Sequence, residues 1–274
     1  GQLSLSVTDA PVDEAEAVVV SFTGVVLQPQ SGERLEIDFD VPRQIDLLQL
    51  TGSASEPLLE DVTVPAGRYN WIRLKVLNGE HNNDDTYITI EGTAYPLWIP
   101  SGDQRGLQLV SGFDVPVNGH GNFTIDFDLR KAVTKPVGKD HYHLRPALRL
   151  VQTAATGSLT GGVHPDVIAA AEVDRLEACV PAVYVYTADV TVPADLGGPE
   201  DRAPVTSTIV ELVDGDYLYS VGFLPAGDYL PVFTCDADLD DPDVYDNEGE
   251  VAVRLLEGDL VTVIAGQATV YDFD

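Results

Sequence analysis

Apolar and polar residues alternate along most of this chain, in short runs that stop at Gly, Pro, Asn or Asp. A period of two belongs to a strand with one face in a core and the other in water, and a helix cannot share it. Leu3, Leu5 and Val7 alternate with Ser4, Ser6 and Thr8, and Ile72, Leu74 and Val76 alternate with Arg73 and Lys75. Val18 to Leu27 is a longer β-branched run. Helical spacing shows only over Val167 to Ala178, where Ile168, Ala171 and Leu176 share a face. The chain has 274 residues, more than one ordinary sandwich needs, so the expected architecture is all-β with two tandem β-sandwich domains.

The small polar run Gln152 to Gly157 separates the apolar strand Leu144 to Val151 from a fresh start at GSLTGGV. It sets the expected domains at 1–152 and 157–274. Two repeats favour duplication. Val64-Pro65-Ala66-Gly67-Arg68-Tyr69 returns as Leu224-Pro225-Ala226-Gly227-Asp228-Tyr229, each read as a tight turn between antiparallel neighbours with Gly at positive φ. Ile37-Asp38-Phe39-Asp40, Ile125-Asp126-Phe127-Asp128 and Tyr271-Asp272-Phe273-Asp274 form the second repeat, and alternation turns each aromatic inward and each Asp pair outward.

Charge narrows the partners. There are 45 acidic against 15 basic residues, a formal net charge of -30, which repels phosphate backbones and anionic lipid, so nucleic acid is excluded. Cations are attracted. No apolar run approaches the roughly 18 residues of a membrane span, so direct membrane insertion is not expected. The chain begins at Gly1 and contains no Met, which reads as a removed export signal and an extracellular or outer-surface location, with lipid attachment upstream left open. An even cysteine count in an exported chain favours a Cys179–Cys235 disulfide; two buried thiols are the alternative.

The segments LSLSVTDAPVDEAEAVVVSFTGVVLQ, IDLLQL, PAGRYNWIRLKV, LVSGF, FTIDFDLRKAV and LRPALRLV, in that order from Leu3 to Val151, resemble the DUF4382 domain of exported bacterial and archaeal surface proteins. From GSLTGGV through LPAGDY to ATVYDFD the chain is similar to transthyretin-like and carboxypeptidase-regulatory-like sandwiches. The resemblance implies Ig-like or prealbumin-like sandwiches of envelope proteins and carries no catalytic residues with it. Sandwiches of that kind bind carbohydrate, serve as stalks or polymerise, and fold alone does not choose among these.

The densest candidate site is DADLDDPDVYDNEGE, which crowds Asp236, Asp238, Asp240, Asp241, Asp243, Asp246, Glu248 and Glu250 into one loop. Ca²⁺ needs six to eight oxygens, and alternate carboxylates supply them. The loop lacks the Gly and flanking helices of an EF-hand, so the reading is a private Ca²⁺ site, against a solvated acidic loop. Asp9, Asp13 and Glu14 around Pro11, and Asn82, Asn83, Asp84 and Asp85, read mainly as turn chemistry. His141 and His143 flank Tyr142 on one side of a strand, a spacing that suits Zn²⁺ or Cu²⁺ but lacks a third ligand, so two surface imidazoles are the favoured account. Trp71, and Trp98 near Tyr95, offer aromatic platforms for a sugar ring or core packing. Asn122-Phe123-Thr124 fits a glycosylation acceptor inside a strand. No nucleophile elbow, zinc-protease motif or phosphate loop is present.

These readings converge on a non-enzymatic surface protein, a stalk or the repeating subunit of a fibre stiffened by calcium. Its N-terminal strand, Leu3, Leu5 and Val7, would complete a neighbour's sheet by strand addition, against pairing within its own domain. Self-association or other surface proteins are the expected partners. The alternative is a carbohydrate-binding surface lipoprotein presenting Trp71, Trp98 or loop tyrosines to glycans.

Overall fold

The structure, a computed structural model, describes residues 1–10, 15–78, 84–100, 106–172, 178–245 and 253–274. It is mostly strand and divides into two compact units, one running from Gly1 to Thr153 apart from residues 10–13, the other from Ala154 to Asp274. Each unit is a β-sandwich.

The first unit holds β1 (Gln2–Ala10), β2 (Ala17–Pro29), β3 (Leu35–Asp46), β4 (Glu56–Thr63), β5 (Gly67–Val76), β6 (Tyr87–Ile90), β7 (Thr93–Trp98), β8 (Leu107–Leu109), β9 (Phe113–Val115), β10 (His120–Asp128), β11 (Val133–Thr134), β12 (Tyr142–Leu144) and β13 (Leu148–Gln152). One sheet runs β13-β10-β1-β4, and the other runs β11-β12-β7-β6-β2-β5-β8, with β9 also on β5. β3 takes the opposite edge of β2, because Val19 pairs with Asp46 on one side and Tyr87 on the other. Between the pairs Phe22–Arg43 and Gly24–Asp38 that ladder slips, so Phe39 to Pro42 bulge out of β3. A bulge carrying Pro and Asp blunts an otherwise open edge. Leu3, Leu5, Val7, Phe22, Ile72, Leu74, Ile125 and Phe127 are fully buried, as the alternation demands.

The second unit holds β14 (Thr156–Val163), β15 (Ala182–Thr187), β16 (Thr206–Ile209), β17 (Glu211–Val213), β18 (Asp216–Pro225), β19 (Gly227–Thr234), β20 (Leu256–Glu257), β21 (Val261–Val263) and β22 (Ala268–Val270). Its sheets run β17-β18-β14-β22 and β16-β15-β19-β20, with β21 also on β19. Gly161 in β14 is required by its neighbour: a Cβ there would lie 1.7 Å from the Tyr271 carbonyl oxygen. β15 is buried on both faces. Val183 and Val185 join the core between the sheets, while Tyr184 and Tyr186 pack beneath Val190, Leu196 and Ala237.

The repeated Pro-Ala-Gly turn corrects the sequence reading. In both units it carries the chain from one sheet to the other, β4 to β5 and β18 to β19, rather than joining hydrogen-bonded neighbours. The tyrosine closes each corner: Tyr69 donates its hydroxyl to the Pro65 carbonyl at 2.7 Å, and Tyr229 to the Pro225 carbonyl at 2.8 Å. Gly67 takes φ +135°, whereas Gly227 stays outside the left-handed region; Phe223, at φ 52°, sits where the β14–β18 ladder slips.

The helix spans Pro165–Glu172 and starts earlier than its apolar spacing suggests. Pro165 stands in its first turn, where a missing N–H costs nothing, and the His164 ring accepts from the Asp166 N–H. Ile168 is its buried contact, and Leu176 lies outside the described residues.

Candidate functional site

In the acidic loop the structure gives the best-placed carboxylates protein partners. Asp236 is buried and receives the Arg254 side chain in a fork, Nε to Oδ2 at 3.0 Å and Nη2 to Oδ1 at 3.1 Å, together with the Arg254 backbone N–H. Asp240 is buried too and accepts from the Tyr184 hydroxyl and from the Leu196 N–H. These contacts clip the loop onto the outer face of β15. Asp241 accepts from the Asp243 N–H within a turn, and Asp238, Asp241 and Asp243 are exposed. Among the described residues no three His, Cys, Asp or Glu side chains converge as a metal site. Asp246, Glu248 and Glu250 lie outside the described residues, as do Pro11, Asp13, Glu14, Asn82 and Asn83.

Cys179 and Cys235 form a disulfide, 56 positions apart in sequence. It ties the segment after the helix to the end of β19, next to the Asp236–Arg254 fork. A cavity of about 540 Å³ opens there between the helix and β19, lined by Val167, Ala171, Phe233, Cys235, Arg254 and Leu256. Its arginine is already held by Asp236.

The Asp-Phe-Asp repeats are not uniformly turned to water. Asp38 faces out and pairs with Lys75 across β2. Asp126 is buried, against expectation, and accepts from Arg149 Nε at 3.1 Å across the β10–β13 ladder. Burial raises its pKa, and the arginine opposes that shift. Asp128 caps the short helix Leu129–Ala132 by accepting from the Lys131 N–H, and Asp272 accepts from the Gly162 N–H.

Leu3, Leu5 and Val7 lie within β1, flanked by β10 and β4 of their own unit. Trp98 and Tyr95 do not share a platform, since three positions along a strand put them on opposite faces. The His141 ring instead lies flat on Trp98, with centroids 3.6 Å apart and planes at 9°, and His143 stands 5.2 Å from His141. Tyr95 meets Tyr142 edge-on, and Lys135 reaches over both. Trp71 carries the Arg73 guanidinium over its ring on the outward face of the large sheet. Burial lowers the pKa of His143, with the charges of His141 and Arg145 acting the same way. The strand spacing of the two histidines was legible in sequence, whereas the tryptophan under them arrives by the parallel pairing of β12 with β7.

The family described as a domain of unknown function, DUF4382, matches residues 1–146. This chain belongs to the DUF4382 family. No curated protein matches it in sequence. Among solved structures, the DUF4382 chain is similar to GBS52, the minor pilin of Streptococcus agalactiae, at 11% identity over 98% of this chain and 94% of that one, with a TM-score of 0.22. It is also similar to a streptococcal ancillary pilin at 12% identity, over 100% of this chain and 68% of that one, with a TM-score of 0.23. A leucine-rich repeat protein from Bacteroides thetaiotaomicron matches at 14% identity and a TM-score of 0.22, and there the chain covers 99% of its own length but only 26% of the other's.

Proposed function

We propose that this DUF4382 protein is a non-enzymatic structural or adhesive protein of the cell surface. The observation that carries the reading is where its polar groups go. Asp126 with Arg149, Asp236 with Arg254, Asp240 with Tyr184, and both corner tyrosines act as internal braces of two sandwiches, and one of those sandwiches is also cross-linked by a disulfide. Such bracing favours a load-bearing or display role over chemistry, and a disulfide persists in oxidising, extracytoplasmic surroundings. The second unit is read as a transthyretin-like module.

The finer form of the proposal is a fibre. β1 carries Leu3, Leu5 and Val7 into the core of its own sheet, so exchanging it between copies would restore the same buried contacts in a neighbour. Calcium bridging one copy to the next through the exposed Asp238, Asp241 and Asp243, rather than seated in a site within one copy, would stiffen such a polymer. A glycan-binding role is the rival, favoured by Trp71 on an outward sheet face opposite Gln28 and beside Arg73.

Negative-stain microscopy and size-exclusion chromatography of the purified chain, with millimolar calcium and with chelator, test this. Filaments or chelator-sensitive oligomers are expected. A monodisperse monomer retained on a polysaccharide column, and released by Trp71→Ala, would replace the fibre with the glycan reading.

A further inference from the structure

The basic residues of this chain are scarce and unevenly placed. Beyond residue 153 there are 24 acidic residues and 3 basic ones, whereas the stretch from Arg130 to Arg149 alone holds 6 of the chain's 15 Lys and Arg, two of its five His, and one acid, Asp140. Arg130 and Arg149 are internal, the first buried and the second paired with Asp126. The others mark one feature, the hairpin of β11 and β12. That hairpin pairs Val133 with Leu144 and Thr134 with His143, and β11 is the edge strand at one end of the large sheet.

The hairpin tip is Lys135-Pro136-Val137-Gly138-Lys139-Asp140, closed by the Lys139 N–H on the Pro136 carbonyl and by Gly138 at φ +73°. Lys135, Val137 and Lys139 are exposed, Val137 completely. Neither lysine forms an ion pair among the described residues, and Lys135 rests over the rings of Tyr95 and Tyr142. The tip is thus a cationic projection with an exposed valine at its crest, seated on Tyr95 and on the buried Tyr142. On a protein of net charge -30, two lysines held in the open also fall short of what nucleic acid or a lipid surface demands.

The complementary surface is in the chain itself. The clipped loop of the second unit exposes Asp238, Asp241 and Asp243 and, next to them, Leu239 and Val244. Its clips, Asp236 to Arg254 and Asp240 to Tyr184, hold it in one shape before any partner arrives. We propose that the Lys135–Lys139 hairpin tip of one copy docks on the Asp238–Val244 loop of a second copy, lysines against aspartates and Val137 against Leu239 and Val244. Two different surfaces make this a heterologous contact, which propagates into a linear array unless its rotation closes a ring. The docking rests on the self-assembling reading above, yet it uses neither the exchange of β1 nor calcium.

Sedimentation velocity of the full chain at 20 mM and 500 mM NaCl, with chelator present throughout, reads the contact. The unaltered chain is expected to associate at low salt and to dissociate at high salt, because exposed charge pairs are screened within about a Debye length. Lys135→Glu with Lys139→Glu is expected to weaken association at least tenfold, and Val137→Asp alone to do the same without touching either lysine. Mixing the double-glutamate chain with one carrying Asp238→Lys, Asp241→Lys and Asp243→Lys is expected to restore a hetero-oligomer, neither chain associating by itself. Association indifferent to both salt and the lysine substitutions would overturn the docking while leaving a fibre built by strand exchange intact. A chain monomeric at low salt up to millimolar concentration would overturn it as well, and calcium-dependent filaments would then be the remaining support for the fibre.

Discussion

Asp126 and Arg149 show how a polar pair that alternation would place in water can lie inside. Burial raises the carboxyl pKa and the guanidinium opposes the shift, so ionised Asp126 depends on Arg149. Arg149→Ala strands a buried carboxylate, and urea denaturation is expected to show a loss of about 3–5 kcal/mol, whereas replacing both partners by leucine costs far less. The corner tyrosines make a smaller, paired case: Tyr69→Phe and Tyr229→Phe each remove one hydrogen bond to a proline carbonyl and should each cost about 1 kcal/mol in the same assay, additively, being in separate units. His143 adds a pH dependence. Its pKa is lowered by burial and then by His141 and Arg145, so unfolding takes up a proton. Its contribution is therefore complete above the unfolded value of about 6.5 and is lost as the pH falls below it. A melting series from pH 7.5 to 5 should fall less steeply for His143→Gln.

At the scale of elements, much was readable. Alternation identified β1 and β5, because each has one face in a core and a one-residue slip would expose all of it, whereas β2 was legible as a β-branched run and is buried on both faces. The double burial of β15 was hidden, since Tyr184 and Tyr186 look like an outward face until the loop bearing Asp240 folds over them. The role of that loop was hidden for the same reason: eight acids suggest an ion, but only the tertiary fold supplies Arg254 and Tyr184 as partners. Nor could local turn chemistry tell a hairpin from a corner between sheets, because both begin with Pro and Gly and differ in where the next strand pairs. The clustering of lysines near 135–139 was open to inspection, yet it gains meaning only when β11 proves to be an edge strand. The disulfide is the strongest single tie in the second unit. Cys179→Ser with Cys235→Ser should lower its stability by about 4 kcal/mol through the entropy of the loop it closes, read as an earlier urea transition for that unit.

For the whole molecule, charge opposes any association that does not neutralise it. Copies at net charge -30 repel one another over roughly a Debye length, so added salt favours contacts built from buried apolar strands and weakens contacts built from ion pairs. The sign of the salt response therefore separates the two routes to assembly, rising for exchange of β1 and falling for the lysine hairpin. With a pI near 4.1, acidification shrinks the net charge that keeps copies apart and should promote the first route more than the second, whose attraction is itself charge on charge. Light scattering between pH 7 and 4.5 reads that difference.

A cross-link between positions 179 and 235 also decides how far the chain can be drawn out under tension. The intervening residues amount to about 190 Å of extended backbone, at about 3.4 Å per residue, and none of it can be released while the sulfurs are joined. Pulled from its ends, the oxidised chain would stop lengthening that much sooner than the reduced one, a hard limit on stretch set by one covalent bond.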